Sequence, residues 1–305
     1  MRRMNHMNRL ILLVLSTLSS AVAVYGQVRV MPGDIKDTRR TDGFFSKLEV
    51  EMKVLGDALS GAKGIRVNIT KAVDETGKDL LPEKKGDDEF KEINLSGNET
   101  AKVDVELKNP ARKATAVLEI SGTLELFVPS RDPSATILIP NLASAVGHGF
   151  EHAGLKTASI EVSIWNKQQY ETRRKSEEDR LKKAYEERKK KAAEAGGSAE
   201  DLGDALAQGL MKVFGGLFNA MTEMSENGLA IQVSDPKKLL IGIEFEDPNG
   251  KTIDQRGKTT LGGEERTMLF DFEEKLPETT RVKLLLLTSK SVIRVPFKLT
   301  NVPLP

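Results

Sequence analysis

From Leu48 onward, apolar residues fall on every second position: Leu48, Val50, Met52 and Val54, with Glu49, Glu51 and Lys53 between them. A period of two places one face of a strand in a core and the other in water, and a helix cannot satisfy it. The alternation returns in Ile65, Val67 and Ile69, and in Ala101, Val103, Val105 and Leu107. Leu118, Ile120, Gly122, Leu124, Leu126 and Val128 repeat it, followed by Ile137 and Ile139, then Ile160, Val162 and Ile164. It resumes in Leu240–Phe245, Thr267–Phe272, Val282–Thr288 and Val292–Leu299. Gly, Pro, Asn and Asp punctuate these runs, and no helical crossovers separate them. The pattern predicts short antiparallel strands stacked as sandwiches, not a parallel α/β sheet.

One stretch breaks the period. Lys167 to Ala195 carries 11 Lys/Arg and 7 Asp/Glu, with pairs such as Glu178–Lys182 and Glu186–Lys190 four apart, which supports an exposed helix. Gly196-Gly197 ends it, and Ser198 with Asp201 makes a cap for the next helix. There Leu202, Leu206, Leu210, Val213, Leu217, Met221 and Met224 recur at intervals of three and four, until Asn227-Gly228. The prediction is a mainly β chain: two antiparallel immunoglobulin-like β-sandwich modules separated by an inserted α-helical hairpin. The boundaries are a polar lead-in at 27–43, a first module at 44–165, the hairpin at 166–227 and a second module at 228–305.

The N-terminus has a different character. Arg2, Arg3 and Arg9 precede the apolar run Leu10–Leu15 and a Ser/Thr/Ala-rich stretch reaching Gly26. That order is the pattern of a secretory signal peptide over residues 1–26, and the apolar run is too short for a comfortable membrane span. The expected address is the periplasm or the cell exterior. Removing the three arginines leaves 46 − 3 = 43 basic against 45 acidic residues, so no strong field draws the mature chain to nucleic acid. There is no Cys, which excludes disulfides, thiolate catalysis and Cys-ligated metal, and leaves an exported fold to its core alone.

Two stretches share one order of signals. Asp74-Glu75-Thr76-Gly77-Lys78 is followed by Val103–Leu107, Pro110, a strand and Val128-Pro129. Asp247-Pro248-Asn249-Gly250-Lys251 is followed by Met268–Phe272, Pro277, a strand and Val295-Pro296. The repeated grammar predicts an internal duplication. With the Leu107-Lys108-Asn109-Pro110-Ala111-Arg112 run and the Gly122-x-Leu124-x-Leu126 strand, it resembles uncharacterised exported bacterial proteins built from immunoglobulin-like β-sandwich modules. The resemblance implies a fold and an address, and brings no catalytic residues.

The sharpest chemical pattern is His148-Gly149-Phe150-Glu151-His152, which spells the H-x-x-E-H zinc signature. That chemistry needs both imidazoles on one helical face, yet Gly147, Gly149 and Gly154 surround the pattern and disfavour a helix. Gly250-Lys251-Thr252 and Gly257-Lys258-Thr259 lack the earlier Gly of a phosphate-binding loop. Trp165 ends an apparent buried strand, so it is expected to pack and not to serve as a sugar platform. The reading is a non-catalytic exported binding or structural protein of the cell envelope, with no cofactor. The alternative is a metal-dependent hydrolase using His148, Glu151 and His152. The expected interaction surface is the second helix, through Leu206, Leu210, Val213, Leu217 and Met221. Its partner would be an unknown protein, an envelope component or a second copy of the chain, and not nucleic acid.

Overall fold

A computed structural model describes residues 28–40, 46–83, 89–93, 100–194, 223–262 and 265–305. The expected signal peptide and the stripe Leu206, Leu210, Val213, Leu217 and Met221 lie outside these residues. The chain is mainly β, with four antiparallel sheets and two α-helices among the described residues. No helix among them is long and apolar enough to cross a membrane.

Strands β1 (Arg29–Thr38), β2 (Lys47–Leu55) and β5 (Thr100–Leu107) form one sheet in the order β1-β2-β5. Strands β3 (Gly64–Asp74), β4 (Lys91–Glu92), β6 (Ala116–Phe127) and β15 (Val292–Pro303) form a second, ordered β15-β6-β3-β4. The two enclose a first core. Leu48, Val50, Met52 and Val54 are fully buried in it, and Ala101, Val103, Val105 and Leu107 nearly so, as the alternation requires.

The second core lies between two further sheets. One contains β11 (Leu240–Glu246), β14 (Arg281–Leu286) and β7 (Thr136–Ile139) in the order β11-β14-β7. The other contains β8 (Gly149–Phe150), β9 (Glu161–Asn166), β10 (Leu229–Ser234), β12 (Gly257–Gly262) and β13 (Glu265–Asp271), ordered β12-β13-β10-β9-β8. Helix α1 (Ala153–Ala158) plugs the end of this core with Leu155. Helix α2 (Lys167–Glu194) follows β9 directly.

Strand pairing divides the chain differently from the expected boundaries. β7 and β9, expected in the first module up to residue 165, pair with β14 and β10 of the second core. The last strand, expected in the second module, pairs along its length with β6, from Val292 opposite Phe127 to Pro303 opposite Ala116. Alternation tells a strand which face to bury but carries no address for its neighbour, so contiguity was the wrong guide. The lead-in at 27–43 also contains a strand: β1 pairs with β2 from Arg29 opposite Leu55 to Thr38 opposite Lys47. As an edge strand it buries no residue fully, which blurred its period.

Two finer expectations change as well. Leu118 was placed on the core face but is 48% exposed, and Val117 is buried instead. The register between β3 and β6 slips there: Val73 faces Glu119 and the next residue, Asp74, faces Val117, leaving Leu118 outside the ladder. Such a bulge turns every residue beyond it to the other face. The matched pairs Val128-Pro129 and Val295-Pro296 are not equivalent either. Pro129 opens a short 3-10 turn after β6, whereas Pro296 lies inside β15 opposite Thr123.

Candidate functional site

The pattern His148-x-x-Glu151-His152 does not lie on a helix. His148 sits in the turn before β8, and His152 is the N-cap of α1, its Nδ1 accepting from the Gly154 N–H at 3.1 Å. Its ring stacks on Phe150 at 6.2 Å between centroids. Glu151 pairs with Lys156 at 2.6 Å in open solvent, and that cation holds its carboxyl below the ordinary range. A capping imidazole nitrogen already in use and a salt-bridged, exposed carboxylate are poor ligands. Among the described residues, no three His, Cys, Asp or Glu side chains stand together as a metal would need.

Trp165 is buried, as expected of it, but on the outer face of the five-stranded sheet. Tyr170 of α2 and Met224 close over it with Ala230 and Leu269, and the Arg173 guanidinium lies 4.3 Å above its ring. Beyond this contact α2 leaves the sheet: Lys175, Asp179, Arg180, Lys183 and Glu187 are all exposed. The 28-residue helix is about 42 Å long at 1.5 Å per residue, and its described contacts with the sheet come from the first turns, at Tyr170 and Arg173. The chain returns to the same spot, where Lys167 bonds Glu226 at 2.6 Å and Ser225 bonds Asp271.

The concave feature with a consistent chemical character lies between the two cores. It is a cleft of about 440 Å³ walled by Arg66 and Phe90 on the first side and by β11, β12 and β13 on the second. Leu240, Ile241, Ile243, Met268, Phe90 and Leu287 supply apolar wall. Of its charged lining residues among those described, five are cations (Arg66, Lys237, Lys238, Lys258 and Arg266) and one is an acid, Glu89. Alternation on β11 and β13 was legible as core patterning. The union of these residues was not, because they come from six separate stretches of chain.

Ion pairs across the gap hold its rim. Lys63 meets Glu244, Lys238 meets Glu89 and Lys258 meets Glu92, each at 2.5 Å. Arg66 is fixed by Glu125, which lies opposite it in the ladder and also receives Arg294 from the other flanking strand at 2.7 Å. Burial opposes the charge on Glu125, but the two guanidiniums hold its carboxyl below the ordinary range. Arg66 in turn lies 4.5 Å over the Phe90 ring.

Arg266 is set differently. Its Nη2 donates to the Leu240 carbonyl at 2.8 Å, and it lies 3.6 Å from the buried Asp235. Asp235 itself accepts the Leu239 and Leu240 N–H groups at 3.0 and 2.7 Å, in a turn where Lys238 has φ of 54°. Arg266 Nε is buried without a hydrogen-bond partner. Among the described residues, Lys237, beside it in the lining, has a single polar contact, to the Ser159 hydroxyl at 3.4 Å. Comparison with known families, curated proteins and solved structures yields no match to this chain. The site therefore stands on its geometry.

A second hollow, about 600 Å³, lies where α2 leaves and the chain returns. Lys167 and Lys275 share it with Glu171, Glu226 and Glu278, so it selects no sign of charge.

Proposed function

We propose that this chain is a non-catalytic exported binding protein of the cell envelope, built from two immunoglobulin-like β-sandwich modules, with its ligand in the cleft between the cores. The observation that carries the reading is the cleft's make-up among the described residues: an apolar wall, Lys237 without a carboxylate partner beside four cations that have one, and a buried Arg266 Nε with hydrogen-bonding capacity unused. A buried donor left unmatched costs about 1–3 kcal/mol, and a ligand acceptor would recover it. The fitting ligand is an anion with an apolar body, its head on Arg266 and Lys237 and its body against Ile241, Met268 and Phe90.

Calorimetric titration of the chain from residue 27 onward with decanoate, decanol and inorganic phosphate tests this. Decanoate is expected to bind best, since decanol lacks the head and phosphate the body. Replacing Arg266 and Lys237 together by Met should weaken decanoate by about tenfold or more, the worth of one charge-assisted hydrogen bond. Equal binding in the double variant, or no binding by the parent, rejects the cleft. The rival metallohydrolase is separated by metal analysis of the untagged protein. Stoichiometric zinc, lost with a hydrolase activity in His148→Ala and His152→Ala, would establish it.

A second reading concerns residues 167–226, which we propose form a helical hairpin carrying Leu206, Leu210, Val213, Leu217 and Met221 to a partner. It is supported by the two ends of the excursion meeting at Tyr170 and Met224 while α2 projects away from the sheet. Leu210→Asp and Leu217→Asp should leave a folded monomer and abolish association with an envelope component or a second copy. Unfolding of either variant would assign the stripe to internal packing.

A further inference from the structure

The turn after β3 and the turn after β11 are built alike. Asp74 N–H donates to the Lys78 carbonyl at 3.1 Å, and Asp247 N–H to the Lys251 carbonyl at 2.9 Å. Each Asp Oδ1 accepts the N–H two residues on and the N–H four residues on, at 2.8–2.9 Å. Gly77 and Gly250 share a φ of 86°, a left-handed conformation that glycine adopts without strain. The pairing around the turns also corresponds. β3 pairs with β6 as β11 pairs with β14, β2 with β5 as β10 with β13, and β1 flanks β2 as β9 flanks β10.

We infer that these are two copies of one unit, and that the copies have exchanged their last strands. β7 follows β6 in the chain, yet it lies on the free side of β14. β15 follows β14, yet it lies on the free side of β6. Both are antiparallel, and both occupy the same place in their sheets. Each starts pairing at the end of its new partner, Thr136 opposite Leu285 and Val292 opposite Phe127. The crossing segments 128–135 and 287–291 run together. Val128 N–H donates to the Ser291 carbonyl at 2.7 Å, and the Thr288 hydroxyl to Asp132 Oδ2 at 2.7 Å. Phe127, Ala135 and Leu285 share a buried cluster at the crossing.

The exchange makes the units unequal. The second is contiguous, from β7 to β14, whereas the first is completed only when β15 returns across the whole of the second. Closing β15 on β6 around an unfolded insert closes a loop of about 160 residues, an entropic penalty that a folded second unit removes by bringing Val128 beside Ser291. The order of folding is thereby built in: second unit first, then the first unit around it. Dependence runs one way.

Two measurements on the full chain test this. The chain has no Cys, so engineered pairs are unambiguous. Ser121→Cys with Lys298→Cys, and Leu138→Cys with Lys283→Cys, should each oxidise within a monomer, because each pair faces across the ladder. Failure to oxidise, or disulfides only between chains, overturns the intrachain exchange. Trp165, the sole Trp, reports the second unit by fluorescence, and hydrogen exchange of the β6 amides reports the first. Phe297→Ala should lower the urea midpoint of β6 protection and leave that of Trp165 unmoved, whereas Ile231→Ala should lower both. A Trp165 midpoint that falls with Phe297→Ala, or β6 protection that ignores Ile231→Ala, overturns the order of folding.

Discussion

The two cores meet the same architectural demand with different side chains. In the first, Phe297 is the sole aromatic among the described buried residues, and the stack is Leu, Val, Ile, Ala and Met from facing sheets. In the second, Phe245 packs edge-on against both Phe270 and Phe272, at 5.0 and 4.9 Å. Their buried carboxylates differ too. Glu125 in the first half joins three adjacent strands through Arg66 and Arg294. Asp235 in the second ties down a turn through two backbone N–H groups. Strand pairing is shared between the halves, while its reinforcement is local.

The largest expected effect strikes the aromatic centre. Phe245→Ala should destabilise the second core by about 3–5 kcal/mol, as loss of a buried Phe does. Leu124→Ala in the first core should stay within about 2–5 kcal/mol, since aliphatic neighbours relax more easily into the space. Urea unfolding of both variants measures the difference. Equal values would erase the contrast between the cores.

Removing the Glu125 carboxylate comes next. Glu125→Ala leaves Arg66 and Arg294 facing each other, at about 3 kcal/mol, the low end for a broken buried pair because Arg294 is 62% exposed. Reversal in the double variant Glu125→Leu with Arg66→Leu would confirm that the orphaned charge carries the loss. A change under about 0.5 kcal/mol would place the triad with ordinary surface pairs.

The two turn aspartates also differ in burial. Asp74 is fully buried: desolvation opposes its charge, yet the Ala111 N–H, the Thr76 hydroxyl and further backbone donors outweigh it and hold the carboxyl down at about 2. Asp247 is lowered chiefly by the Lys251 N–H, at a more open position. Asp74→Asn sets an amide NH₂ against the Ala111 N–H that bonded Oδ2 at 2.8 Å, so about 1–3 kcal/mol should be lost. Asp247→Asn should lose less. Because the folded value lies below the unfolded one, near 3.9, the Asp74 contribution is present above about pH 4 and lost as pH falls toward 2. Stability measured across that window should slope in the parent and slope less in Asp74→Asn, where Glu125 and Asp247 still titrate.

The smallest effect is expected to be symmetric. A Cβ at Gly77 or Gly250 would meet nothing within 4 Å, so Ala at either position bears only the left-handed backbone penalty of about 1 kcal/mol. Thermal unfolding should show equal losses. A large inequality would mean that the turns are alike by coincidence.

Much of the fold could be read from residue order. The period of two marked which side chains of β2 and β5 are buried, and the Asp-x-x-Gly-Lys signals marked both turns. The site was scarcely legible: the His pattern drew attention because it is compact in sequence, while Arg66, Lys237 and Arg266 are ordinary charges until the sheets bring them together. Residue order alone sets the mainly β class, the buried faces of strands such as β2 and β5, the place where helix replaces sheet and the position of the matched turns. These follow from backbone chemistry and from neighbours two to four residues away. Long-range packing places β15 on β6 and β7 on β14, turns Leu118 outward, and opens a cation-lined cleft between the cores. Backbone hydrogen bonds are identical for every strand, so the choice among amphipathic neighbours rests on the packing of the whole core, which no local pattern encodes.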